Sequence, residues 1–454
     1  MEKVSLLTYN ELGKLETNMD FENFLWAIPF LGIIFSMSFL PLIAPKFFEK
    51  HGGVIPFGWT AIYLACIAYF FGFHEVIPAT LEPLLNDYVS FIIQIATLYI
   101  VAGGIFVDFP NGKGPVFNTM FLFFGSLLAG WIGTTGAAML LIRPFLRANT
   151  QRKYKVHLMV FFIFLVANIG GAATPLGDPP LFIGFLKGID FFWFIQHLSP
   201  VLFGTIFTLC VLFYIVDAIL LKKETGHFDA GRDSVSFVIK GTRNLFFLIL
   251  VLFTVILCQF EGSFELAGRA YNYSSVLRNI VLVSIAVLSL KLTHKNIREE
   301  NGFTFAPIRE VAEFFVAIFI TVAPILSILS KGENGSLAMI FNWIAPGGQF
   351  ILSKCFWASG LLSSVLDNAP TFLIFFHLAS GNAAELMTTK ASILTSFSIS
   401  TVFMGALTYI GNAPNLMVKS ISQHHGIKVP SFLGYMGWSI GILAPIFLVI
   451  SWLL

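Results

Sequence analysis

Charge is scarce in this sequence. Only 11% of its 454 residues are Asp, Glu, Lys or Arg, against 56% hydrophobic, a balance that excludes an ordinary water-soluble domain of this length. Cysteine is scarce as well. Cys66, Cys210, Cys258 and Cys355 all fall in apolar stretches without metal-ligand spacing, and they read as small buried hydrophobes. No basic cluster interleaves with aromatics, so a nucleic-acid face is excluded. A G-x-x-x-x-G-K-[ST] phosphate loop and a His-Glu-x-x-His stretch are also missing, which leaves ATP-driven work and an intramembrane zinc enzyme unsupported. No cofactor is expected. The start of the chain, polar and mildly acidic over residues 1–23, lacks the basic opening and apolar core of a signal peptide.

What is abundant is apolar length, with phenylalanine at 52 residues suiting a lipid-facing surface. One apolar segment, 157–186, is nevertheless interrupted by Gly170-Gly-Ala-Ala-Thr-Pro-Leu-Gly-Asp-Pro-Pro-Leu-Phe182. Pro175, Pro179 and Pro180 cannot share one continuous helix, because each lacks the backbone donor and clashes with the preceding turn. Freed backbone at bilayer depth is tolerated only where protein buries it or it lines a wet cavity. The pattern returns in 391–418: Gly171, Thr174, Gly177, Asp178 and Pro180 meet Gly405, Thr408, Gly411, Asn412 and Pro414 at one constant offset. Paired interrupted segments in corresponding halves point to a transporter's binding site.

The remaining segments fall into the same order twice. Spans are expected at roughly 24–44, 55–73 and 88–107, then a re-entrant hairpin over 118–147, the broken span and a last span at 198–221. After a polar linker, 222–242, spans are expected at roughly 243–260, 277–292 and 311–330, then a hairpin over 347–379, the second broken span and a last span at 432–453. Each hairpin exceeds the roughly 20 residues a single crossing needs. The expected fold is therefore an all-α polytopic membrane protein: a first repeat over 24–221 and a second over 243–454, each with three spans, a re-entrant hairpin, a broken span and a final span. Five crossings per half turn the second repeat upside down. Threaded this way, most basic residues, among them Lys46, Lys50, Arg147, Arg152, Lys153, Lys155, Lys222, Lys223, Lys291, Lys295 and Lys419, collect on one side. That side is read as cytoplasmic, with both termini outside and the protein in a bacterial inner membrane.

Two carboxylates, Asp178 and Asp367, lie in broken backbone rather than in loops. An ionisable group inside the membrane is a functional candidate because its burial is costly. The competing reading for Asp178 is a helix cap, favoured by the Pro-Pro that follows. Oxygen and amide groups cluster nearby: Thr134 and Thr135 at the first hairpin tip, Asn368 and Thr371 beside Asp367 at the second, and Asn168, Thr174, Thr408, Asn412 and Asn415 at the breaks. Na⁺ is a hard cation that takes such oxygens, and unwound carbonyls add more. The breaks themselves rest on Gly170, Gly171, Pro175, Gly177, Pro179 and Pro180 and on Gly405, Gly411 and Pro414. Asp217, His197 and Glu313 read as interfacial residues near span ends.

The stretch from Asn168 to Phe182, with Leu366-Asp-Asn-Ala-Pro-Thr371 and Gly411-Asn-Ala-Pro-Asn415, resembles the ion transporter superfamily. Within it the chain is most similar to the NhaD-type sodium/proton antiporters and the related citrate transport family. The resemblance implies an inverted-repeat bundle, usually a homodimer, with an elevator-like motion of the hairpin-bearing part. The dicarboxylate carriers of the superfamily have Ser-Asn-Thr at both hairpin tips. Here the tips read Thr134-Thr-Gly136 and Asp367-Asn-Ala369, and the added carboxylate suits a cation or proton better than an anion. The expected function is Na⁺(Li⁺)/H⁺ antiport. Its alternatives are a Na⁺- or H⁺-coupled carrier of citrate or dicarboxylates, or an arsenite-type anion permease. Partners are then the small cations Na⁺, Li⁺ and H⁺, carboxylate anions in the alternative, and the lipid bilayer. The only metal is the transported Na⁺.

Overall fold

A computed structural model of the chain describes residues 23–109, 114–224, 237–260, 262–266 and 269–454. The polar tail, apart from Asn23, and most of the linker at 222–242 lie outside the described residues. Six described helices are long and apolar enough to cross a membrane, or seven if Ala306–Thr321 and Ala323–Leu329, bent by 48°, form one span. Their outer surfaces carry exposed Phe124, Phe207, Ile280 and Leu448. Apolar exposure on this scale needs lipid around it, and the protein is an all-α polytopic membrane protein. Two short antiparallel ribbons are the exceptions: Phe106–Asp108 pairs with Val238–Lys240, and Ser263–Leu266 with Arg269–Asn272.

Both expected interruptions are present. The first segment is helical over Val156–Leu165, tightens to a 3₁₀ turn over Ile169–Ala173 and resumes as Pro179–Leu186. The second runs Ala391–Met404, Gly405–Leu407 and Ala413–His424. Every residue from 157 to 172 and from 396 to 409 is buried, so the breaks form the core of the molecule. The hairpins run Gly114–Ile132 into Thr134–Ala148 and Leu352–Leu366 into Asn368–Ala379. Their arms are unequal. Gly114–Ile132 has 19 residues and is itself long and apolar enough to span, because no breaker interrupts it before Gly133.

Packing sorts the helices into two sets, which touch where Val89–Ala102 meets Thr134–Ala148 and where Ala323–Ser330 meets Asn368–Ala379. The hairpins and the broken segments, with Phe191–Lys222, pack on one another, and the last span, Phe432–Leu453, packs on Leu352–Leu366 and the second break. Val89–Ala102, Arg243–Leu257 and Tyr273–Leu292 pack on one another, as do Ile28–Ile43, Ile55–Phe70 and Ala306–Thr321. The two halves repeat each other in hydrogen bonds as well as in sequence. Thr174 Oγ1 donates to the Gly130 carbonyl, 2.5 Å, and Thr408 Oγ1 to the Ser364 carbonyl, 2.6 Å. The offset is 234 in both partners (408 minus 174, 364 minus 130). Each break is thus tied to the hairpin of its own half.

Candidate functional site

The tip of each hairpin needs unusual backbone. Gly133 has φ 83° and ψ 144°. At the 234-residue offset its counterpart is Asp367, with φ 75° and ψ 154°, the one non-glycine residue with positive φ among those described. This region of backbone space is almost confined to glycine and costs any other residue about 1–3 kcal/mol. An aspartate held there is a strong sign of function. The neighbouring N–H groups differ too. Thr134 N–H donates to the Gly177 carbonyl, 2.8 Å, whereas its counterpart, Asn368 N–H, donates to Asp367 Oδ1, 2.6 Å.

Asp178 occupies the N-cap position of Pro179–Leu186 but makes no side-chain capping bond. The sequence explains why. Pro179 and Pro180 have no N–H to offer, and the next two donors, Leu181 and Phe182, go to the Asp178 carbonyl. The carboxylate is free to turn inward, where it is 2% exposed. Its Oδ1 accepts from Thr134 Oγ1 at 2.8 Å and from Asn412 Nδ2 at 3.3 Å, and its Oδ2 from Asn368 Nδ2 at 2.6 Å. These donors come from both hairpins and the second break. Asn368 bridges the carboxylates, its side chain on Asp178 and its backbone on Asp367. Ion pairs of the described residues, such as Lys187–Asp87 and Arg152–Asp217, lie elsewhere, and no lysine or arginine pairs with Asp178 or Asp367 among them.

The other expected residues divide by what they touch. Thr135 lines a cleft of about 30 Å³ together with Thr134, Gly177 and Asp178. Thr174 and Thr408 are committed to hairpin carbonyls, and Thr371 Oγ1 donates to the Asp367 carbonyl, 2.9 Å. Asn415 braces the breaks: its Nδ2 donates to the Gly405 and Thr408 carbonyls, and its Oδ1 accepts from Asn168 Nδ2, 2.7 Å. Glycines are required where side chains converge. A Cβ on Gly171 would meet Thr134 Cγ2 at 2.6 Å, and one on Gly405 would collide with Asn368 Oδ1.

Two features escaped the sequence reading. Ser363 Oγ donates to Asn368 Oδ1, 2.8 Å, orienting that amide toward Asp178. Asp217 is not interfacial. It is fully buried, paired with Arg152 at 2.7 Å and bonded by His157 at 2.9 Å and Asn118 at 2.8 Å. The spelling Gly437-Trp-Ser-Ile-Gly441 matches a hydrolase elbow, but Ser439 lies within the helix Phe432–Leu453 and donates to the Leu407 carbonyl, 2.6 Å, rather than standing on a strand-to-helix turn.

Comparison with known proteins agrees with this architecture. A "46 kDa membrane protein" of Mycobacterium leprae (strain TN) is 22% identical over 272 residues, covering 58% of this chain and 59% of that protein's length. Residues 20–454, nearly the whole chain, match the family described as "Putative citrate transport". With two broken spans converging on a buried polar centre and nearly the whole length matched, the chain belongs to the "Putative citrate transport" family.

Proposed function

We propose that the protein is a secondary active transporter that exchanges Na⁺ or Li⁺ for H⁺. One observation carries the reading: Asp178 is buried among neutral donors, bridged through Asn368 to a second carboxylate, with no basic partner for either among the described residues. Burying a charge is costly unless it is paired. The missing positive charge is a proton or a bound cation. A cation held by the carboxylate expels the proton, and a proton expels the cation. Exclusive occupancy by one or the other yields exchange once the site opens alternately to the two faces. The repeat at a constant offset between the halves and the division of the helices into two packing sets support this reading; in it the halves are inverted, and the hairpin-bearing set is the part that moves.

The family description favours a second reading, coupled transport of citrate or a related carboxylate. A cleft of about 30 Å³ has room for about one or two waters, and no arginine or lysine lines it. These features favour the cation. In everted vesicles reporting internal pH, Na⁺ and Li⁺ are expected to drive proton movement that Asp178→Asn and Asp367→Asn each abolish, with the protein still in the membrane. Citrate uptake without a response to Na⁺ alone would install the second reading. Parental exchange by the doubly substituted protein would refute the carboxylate mechanism.

A further inference from the structure

Gln94 lies in the middle of Val89–Ala102, a helix of the second set that also packs against Thr134–Ala148 of the first hairpin and Pro179–Leu186 of the first broken segment. It is 1% exposed, and neither its Nε2 nor its Oε1 finds a hydrogen-bond partner among the described residues. Its polar neighbours on the same helix are engaged: Thr97 Oγ1 donates to the Leu282 carbonyl, 3.3 Å, and Ser90 Oγ accepts from Asn279, 2.9 Å. A buried amide with both ends unpaired is uncommon and unfavourable. Gln94 also lines the cleft that Thr134, Thr135, Gly177 and Asp178 line.

We propose that Gln94 is a cation-binding residue, which presents its side-chain oxygen across the cleft to the alkali cation held at Asp178. The proposal rests on the exchange reading above. The chemistry fits: a carboxamide oxygen is a hard, neutral ligand, and a hard cation takes such ligands beside carboxylates and waters. A cleft of about 30 Å³ seats a small cation with about one water. Gln94 adds a ligand without adding charge, so the site can still carry either one proton or one cation. Gln94 and Asp178 belong to different packing sets, so this contact is made only while the two sets are juxtaposed as here.

The test uses the full chain in everted vesicles, with Na⁺ and Li⁺ as probes. Gln94→Leu removes the oxygen at similar volume and retains no buried amide to satisfy, so folding is expected to survive. Half-saturating Na⁺ is expected to rise about tenfold, the order expected for one polar contact to a charged group, with the rate at saturating Na⁺ within about twofold of the parent. Gln94→Asn, which keeps the amide but shortens its reach, should fall between, and the Na⁺-to-Li⁺ preference should change in both variants. A parent that exchanges while Gln94→Leu keeps the parental half-saturation and ion preference overturns the proposal, whatever happens to protein level; Gln94 is then only a hydrated packing residue. A parent without Na⁺- or Li⁺-driven proton movement overturns the exchange reading itself, and the two failures are told apart by the parent alone.

Discussion

Replacing Asp367 separates its chemical role from its backbone cost. At φ 75° and ψ 154°, a residue with a Cβ pays about 1–3 kcal/mol, and glycine pays nothing. Asp367→Ala keeps that strain and loses the bond from Asn368 N–H. Asp367→Gly loses the same bond but releases the strain. The comparison of Gly with Ala therefore isolates the backbone term. Glycine gives back about 1 kcal/mol through the greater freedom of its unfolded chain, so the net advantage of Gly over Ala is about 1 kcal/mol, roughly a fivefold shift in the folded-to-unfolded ratio. Equilibrium unfolding in mixed detergent micelles reads this directly, with Gly133→Ala as the matching loss in the first half. Exchange in vesicles should vanish in Asp367→Gly and Asp367→Ala alike. An alanine variant as stable as the glycine variant would refute the claim that this tip is strained. A glycine variant that still exchanges would refute the claim that the strain is maintained for the carboxylate.

Gly405→Ala should abolish exchange at near-normal membrane levels, because the new methyl collides with the Asn368 oxygen, while Gly437→Ala, with nothing within 4 Å, should match the parent in the same vesicle assay. Asp217→Asn removes one member of a buried ion pair, a change that costs about 3–5 kcal/mol; protein yield and resistance to detergent unfolding should fall, and an unchanged stability would refute the pairing. Half-saturating Na⁺ in that variant should stay parental, since Asp217 has no bond to the Asp178 cluster. Because proton and cation compete for one site, half-saturating Na⁺ should climb towards tenfold per pH unit on the acid side and flatten on the alkaline side; a pH-independent value would refute the competition. Cysteines at Lys153 and Asn382 should label from opposite faces, and labelling from the same face would refute the inverted repeat.

The sequence by itself determined where the chain breaks and that it breaks twice. Proline and glycine act within a turn of their own position, so Pro175, Pro179 and Pro180 mark the first interruption without reference to any partner, and the constant offset to Gly405, Gly411 and Pro414 reveals the repeat. An ionisable residue in apolar surroundings is equally local, which is why Asp178 and Asp367 were legible. What those groups do depended on tertiary structure. A helix cap was the competing reading of Asp178 from its sequence neighbours, yet the two prolines withhold their donors and the carboxylate turns to Thr134, Asn368 and Asn412. Hydropathy told that Thr174 and Thr408 sit in breaks, and only the packed hairpins showed that their hydroxyls are taken by Gly130 and Ser364 carbonyls. Asp217 looked interfacial because Arg152 lies 65 residues away in the chain (217 minus 152). Local patterning reports which face of a segment is apolar, whereas the identity of the group on the other side of a contact is set by the fold alone.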